Sequence, residues 1–245
     1  MLLRHWIIDT HFLTSIMALP FLLPQNLTPE GDLVKKFKKL CPGKDNNEGL
    51  HIHTAAALPD PRLLKGHLLL PFWPPNILDK AKVIYLARDP RDVVVSFYHF
   101  SKFSKTKKTT ATLDEFVDDF MDNIVISAYW EHVRLAWEKR NNSNLLFLFY
   151  EDLKENPNEQ IKKVANYTSF NSMKKKSKDN PPASFDKIFY DDSKKDKENN
   201  FFRKGKVGSW KEDLPLHLQE KMNNWMKINL SQFTEDFKYK KEQFS

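Results

Sequence analysis

The sequence predicts an α/β protein organised on a parallel sheet, and three observations carry that prediction. Two short runs, Val83-Ile84-Tyr85-Leu86-Ala87 and Leu145-Leu146-Phe147-Leu148-Phe149-Tyr150, are apolar without polar alternation, as expected of strands covered on both faces. Each run leads into a helix signal: Asp89-Pro90 after the first, Asn156-Pro157-Asn158-Glu159 shortly after the second. A chain of 245 residues, 40% hydrophobic with six Trp, is long and apolar enough to bury one good core. Residues 1–245 therefore read as a single domain.

Taken in order, Met1 to Leu23 reads as a helix packed on the core. Its apolar part, Phe12 to Leu23, is too short to span a bilayer as a helix. Arg4 ahead of it gives a second reading, a short signal peptide, against which Pro20 and the lack of a clear cleavage site stand. Leu33, Val34, Phe37 and Leu40 recur at helical spacing. His51 and His53, two apart with no Cys or carboxylate partner, read as part of a surface strand or loop, with no metal expected.

Pro61 to Leu68 is a short strand ending in Lys65, Gly66 and His67. Gly66 allows a bend or a close approach, and His67 can act as a base near neutral pH or simply be structural. After Val83–Ala87 comes Arg88, then Asp89 as N-cap and Pro90 as first helical residue. A strand end, a charged turn and a helix start make an anion site, with Arg88 offering a fork of donors and Ser96 two turns into the helix. The plainer alternative pairs Arg88 with Asp92.

Ser101 to Thr112 reads as a basic surface loop. Leu113–Phe120, Ile124–Trp137 and Leu214–Phe233 read as helices, with Trp130, Val133, Leu135 and Trp137 as core and His132 carrying no further signal. Phe201 to Lys211 places Arg203 and Lys204 before Gly205 and Gly208, flexible backbone with fixed cations, which suits a phosphate.

Net charge is +7, and Asn171 to Lys211 carries 12 Lys/Arg against 6 Asp/Glu, a local field that favours an anionic ligand or marks a solvated loop. Cys41 is the only cysteine, so no internal disulfide forms, in keeping with a reducing, cytoplasmic setting. No run after Leu23 is long enough for a membrane span, no GxxxxGK[ST] occurs, and no nucleic-acid recognition module is present.

Five segments together resemble the cytosolic sulfotransferase family, which uses PAPS, 3′-phosphoadenosine 5′-phosphosulfate, as sulfuryl donor. PRLLKGHL resembles the family's PRLLKTHL, ARDPRDVVVSFYHF its second nucleotide signature, and LLFLFYEDLKENP its LYLFYEDLKENP. Thr168 to Met173 resembles TSFxxM, and RKGKVGSWK resembles RKGxxGDWK.

The resemblance implies a three-layer α/β/α fold of the P-loop-NTPase type and transfer of a sulfuryl group to a hydroxyl of a phenol, alcohol or steroid-like acceptor. It implies His67 as general base and Lys65 as support for the sulfuryl group. It implies nucleotide contacts from Arg88, Ser96, Tyr150, Thr168, Ser169, Phe170, Met173, Phe201, Phe202, Arg203, Lys204 and Gly205, with no metal. A non-catalytic nucleotide-binding relative is the alternative.

The departures are as specific as the matches. The family's early strand and its YPKSGTTW phosphosulfate loop are not found: no Gly lies between Met1 and Glu30, and residues 1–50 look atypical. The resemblance covers Pro61 onward, as in an N-terminally shortened member lacking its first strand, with transfer expected to be slowed. A stretch holding a further helix is absent between Ala165 and Asn166. Of the dimer motif KxxxTVxxxE, Lys211 and Glu220 remain while Pro215 and Leu216 replace Thr-Val, which argues against a homodimer formed by that route.

Overall fold

The structure, a computed structural model, describes residues 5–10, 32–45, 50–57, 62–103, 110–124, 128–168 and 206–241. In chain order the elements are β1 (His5–Thr10), α1 (Asp32–Leu40), α2 (Leu50–Ala57), β2 (Arg62–Gly66), α3 (Ile77–Lys80), β3 (Ala81–Ala87), α4 (Pro90–Phe103), α5 (Leu113–Met121), α6 (Tyr129–Glu138), β4 (Leu145–Phe149), α7 (Tyr150–Glu155), α8 (Pro157–Thr168), α9 (Trp210–Asp213), α10 (Leu216–Leu230) and α11 (Lys238–Lys241). The α/β class with a parallel sheet is as the sequence predicts. The chain forms two compact units, residues 1–88 with 126–149, and residues 89–125 with 150–245.

The first unit holds the sheet, in the order β2-β1-β3-β4, with every pair parallel. One register row runs Gly66, Asp9, Tyr85, Phe147 across the four strands. β3 is buried on both faces, and its Val83, Tyr85 and Ala87 pack with Ala136 of α6 and Leu145 of β4. Successive strand residues point to opposite faces, so these three share one face and Ile84 and Leu86 take the other.

β1 overturns two expectations. His5–Thr10 is a strand, not the start of a helix, and it sits inside the sheet between β2 and β3, where a missing first strand would leave a gap. Trp6, Ile7, Ile8 and Thr10 are residue types that favour strands, and six residues is strand length rather than helix length. The rest of the expected core helix to Leu23, with the leader reading of Phe12–Leu23, lies outside the described residues.

α1 and α2 bury Val34, Phe37, Cys41 and Leu50 against each other. His51 and His53 fall in α2, so they belong to a helix and not to a surface strand or loop. α6 begins at Tyr129, five residues later than the sequence suggests. Asn123 (φ 61°) and Ala128 (φ 45°) both adopt the left-handed region, which a continuing helix does not allow.

The second unit is helical. α4 extends to Phe103, three residues into the predicted loop, and residues 104–109 lie outside the description. Thr112 caps α5 through a reciprocal capping box with Glu115. α5 and α10 meet through Phe120 and Trp225, whose rings are 5.7 Å apart, and through the exposed pairs His217–Asp114 and Lys221–Asp118. α8 runs unbroken through Ala165 and Asn166. α10 spans Leu216–Leu230, shorter at both ends than predicted, because Pro215 takes the N-cap position.

Candidate active site

In the first unit the strands are parallel, so everything that leaves their carboxyl ends leaves from one edge. That edge carries Lys65-Gly66-His67 from β2 and, two strands across, Arg88 from β3. Two strand spacings put the β2 and β3 backbones about 10 Å apart. Lys65 is placed in β2 by its backbone, and its side chain lies outside the description. His67 is half-buried, with Nδ1 sealed from solvent. Arg88 is only 6% exposed, and its carbonyl accepts a 2.5 Å hydrogen bond from the Tyr129 hydroxyl, which fixes the chain where β3 ends.

The turn around His67 is held by Trp73. A Cβ on Gly66 would stand 2.2 Å from Cζ2 of Trp73, so the absence of a side chain there is what lets the indole come this close to the backbone. The same Trp73 donates from Nε1 to the Leu68 carbonyl at 3.1 Å. His132 of α6 is 2% exposed, with Nδ1 2.8 Å from the Tyr85 hydroxyl. Burial pushes the His132 pKa down to about 4, against the pull of nearby backbone groups including those of His67 and Leu68. His132 is therefore neutral at physiological pH.

In the second unit the start of α4 is a charged hub. Asp89 caps the helix as the sequence predicts, accepting from the Arg91 backbone at 2.8 Å. Its carboxylate also takes Nε and Nη2 of Arg91, at 3.0 and 2.6 Å. Arg91 reaches Asn223 through Nη1 at 2.8 Å and lays its guanidinium 3.9 Å from the Trp210 ring centroid.

Asp92 gathers the turn before α9: Oδ2 accepts from Gly208 N at 2.7 Å, and Oδ1 accepts from Trp210 N at 3.1 Å and the Ser209 hydroxyl at 3.4 Å. Gly208 stands at φ 73°, which favours glycine. Glu151 of α7 accepts from the Asp89 backbone at 2.9 Å and the Tyr239 hydroxyl at 2.7 Å, and burial raises its pKa.

Of the nucleotide-contacting residues expected from sequence, Ser96 is half-buried two turns into α4, and Tyr150 is half-buried as the first residue of α7. Thr168 closes α8, buried, with its hydroxyl donating to the Val164 carbonyl at 2.6 Å. Ser169, Phe170, Met173, Phe201, Phe202, Arg203, Lys204 and Gly205 lie outside the described residues. The structure thus brings Lys65, His67 and Arg88 to one sheet edge. Separately, it ties the turn that follows Arg203-Lys204-Gly205 to the helix that bears Ser96.

Sequence reasoning gave His132 and Tyr85 no role in a site, and read Asp92 only as a partner for Arg88. The signal for His132 was available: Tyr129, His132, Val133 and Ala136 form one buried stripe at helical spacing, and a histidine in such a stripe requires a polar partner. Among the described residues no group of three or more metal-ligating side chains gathers, and no helix is long and apolar enough to cross a membrane.

Residues 10–234 match the family described as Sulfotransferase domain. The match begins well ahead of Pro61. Rat Sulfotransferase 1A1 is 36% identical over 204 residues, which is 75% of this chain and 66% of that protein. Mouse Sulfotransferase 1B1 is 34% identical over 200 residues, 73% of this chain and 64% of that one. The chain thus spans just under two thirds of the length of these curated relatives. Two crystal structures share the fold. Retinol dehydratase with androsterone and the inactive cofactor PAP has a TM-score of 0.63 at 23% identity, covering 98% of this chain and 84% of that one. Mouse sulfotransferase SULT7A1 with PAP has a TM-score of 0.64 at 19% identity, covering 97% and 86%.

Proposed function

The chain belongs to the cytosolic sulfotransferase family, and from that premise we propose that it transfers a sulfuryl group from PAPS to a hydroxyl of a small acceptor, with His67 as general base. The acceptor class is a phenol, an alcohol or a steroid-like molecule. The observation that carries the reading is the carboxyl edge of the parallel sheet, where an imidazole and a guanidinium leave neighbouring parts of one scaffold. Ligands of open α/β sheets bind at that edge.

The donor set fits an anionic nucleotide. Arg88 and Lys65 are cations at the edge, and Arg203 and Lys204 stand just before the turn that Asp92 secures. In this reading Arg88, Ser96 and the Arg203-Lys204-Gly205 segment hold the 3′-phosphate. Tyr150, Thr168, Ser169, Phe170, Met173, Phe201 and Phe202 hold the rest of the nucleotide. PAPS supplies the sulfuryl group and leaves as PAP. His67 takes the acceptor's hydroxyl proton as the oxygen forms its bond to sulfur and the bond to the phosphate oxygen breaks. Lys65 balances charge on the group in flight. No metal enters, and no nucleic acid is a substrate. Residues 1–245 act as one sulfotransferase domain in the cytoplasm.

The test is a labelled-sulfate transfer assay on phenols and alcohols with wild type and His67→Ala. Transfer by wild type and its loss in the variant support the reading; equal inactivity removes it for this chain. A second reading, nucleotide binding without transfer, is favoured by the absence of any Gly between Met1 and Glu30, where the family carries its phosphosulfate loop. PAP binding that Arg88→Ala weakens, with no turnover, selects it.

A further inference from the structure

In the second unit one carboxylate joins three elements. Glu151, the second residue of α7, accepts from the Asp89 backbone at the start of α4 through Oε1 at 2.9 Å. Through Oε2 it accepts from the Tyr239 hydroxyl of α11 at 2.7 Å. Its neighbour Asp152 takes Lys238 Nζ at 2.6 Å, so consecutive carboxylates of α7 hold consecutive residues of α11. The α11 end of this link is firmly packed. Tyr239 is 1% exposed, its ring meets Phe237 edge to face at 5.4 Å, and Phe237 stacks on Phe233 at 4.2 Å. Lys240 Nζ adds a bond to the Phe233 carbonyl at 2.8 Å. The Tyr239 hydroxyl is thus a fixed donor, and it holds Glu151 where the aromatic stack puts it.

What the two helices carry gives the link its importance. Tyr150 is the residue before Glu151, and Ser96 lies seven residues beyond Asp89, two turns along α4. Holding the Asp89 amide against Glu151 therefore fixes where α4 starts, and with it where Ser96 stands, relative to Tyr150. Withdrawing a carboxylate from water is costly unless its oxygens are bonded, and here each oxygen bonds a different element. We propose that Glu151 is a positioning residue for nucleotide binding: anchored by Tyr239, it locks the starts of α4 and α7 together, so that Ser96 and Tyr150 meet the ligand from fixed positions. The inference rests on the reading of Ser96 and Tyr150 as nucleotide contacts, and its consequence is specific. Loss of the link lets the two contacts move independently, so nucleotide affinity falls while the acceptor's KM, which depends on other residues, does not.

The experiment compares wild type, Glu151→Ala, Glu151→Gln and Tyr239→Phe in PAP affinity, Tm and transfer kinetics. Phe120→Leu, in the α5–α10 contact that the link does not use, serves as a stability control. Glu151→Ala is expected to weaken PAP binding about ten-fold or more and Tyr239→Phe about three-fold or more, with the acceptor's KM unchanged. Glu151→Gln stays within about three-fold of wild type, because its carbonyl still accepts from Asp89 and its amide can donate to the Tyr239 oxygen. Phe120→Leu lowers Tm and leaves PAP affinity within about two-fold. Equal affinity in wild type, Glu151→Ala and Tyr239→Phe overturns the inference, and so does a loss that Phe120→Leu reproduces at the same Tm. If Glu151→Ala does not fold, Tyr239→Phe decides by the same criteria. Absence of PAP binding in wild type removes the nucleotide reading and this inference with it, whereas unchanged binding across the set removes the inference alone.

Discussion

Two turns in this protein are pinned with equal thoroughness by opposite means. The Gly66–Leu68 turn of the first unit is held by a neutral indole, packed on Gly66 and donating to the Leu68 carbonyl. The Gly208–Trp210 turn of the second unit is held by a carboxylate, with a guanidinium stacked on its tryptophan. Both turns start from a glycine, but for different reasons. Gly66 yields space to Trp73, whereas Gly208 supplies a left-handed backbone with nothing crowding it.

The contrast follows from what each turn presents. On the proposed function the first turn presents a base, and a base that must take up and release a proton near neutral pH is poorly served by a fixed charge at its back, which would bias its protonation. A turn next to a cationic Arg-Lys pair gains from a carboxylate that orders its backbone through charge-assisted hydrogen bonds.

The comparison breaks most visibly at Asp92. Asp92→Ala strands three donors at once, two of them buried, and is expected to cost about 3–4 kcal/mol in urea unfolding, with Asp92→Asn recovering part. A cost under about 1 kcal/mol would mean that the carboxylate does not hold the turn.

The first unit answers to acid. His132 has its pKa lowered to about 4 in the fold, so below about 6.5 the unfolded chain takes up a proton that the folded chain refuses. Stability from this group is complete above pH 6.5 and lost as pH falls towards 4, by roughly 3 kcal/mol in all. Chemical unfolding at a series of pH values should show that slope, and His132→Gln should flatten it.

Gly66→Thr tests the indole clamp. Its Cβ meets Trp73 at 2.2 Å, so a loss of about 1–3 kcal/mol is expected, relieved when Trp73→Leu is added. The smallest effect sharpens the other side. Burial raises the Glu151 pKa, so its ionised form weighs against the fold as pH rises through that value. Glu151→Gln should therefore raise Tm slightly at neutral pH, opposite in sign to the His132 trend.

How much was legible depended on how local the signal was. β3, β4 and the Asp89-Pro90 cap were readable because each is written in consecutive residues, and the structure realises all three. β1 was not. Beside the longer apolar run from Phe12 to Leu23, its six residues read as the approach to a helix, and nothing nearby revealed the two strands that flank it. Motif matching reached His67 and Arg88 but not what surrounds them. Tyr85 with His132, and Asp92 with Gly208, are joined across 47 and 116 residues, and no local pattern carries such pairings. Gly66, where the family's PRLLKTHL has Thr, read as freedom for a bend or a close approach. The structure shows it as room for Trp73, seven residues on.

The place of β1 bears on how the protein is born. Both of its neighbours come later in the chain: β2 starts at Arg62 and β3 at Ala81. On a ribosome His5–Thr10 emerges on the order of several seconds before either, at usual rates of synthesis. Until then Trp6, Ile7 and Ile8 have no ladder to join, and in the finished sheet β1 lies between β2 and β3. Every strand contact on that side of the sheet is long-range, so its loop-closure entropy is met before the pairing rewards it.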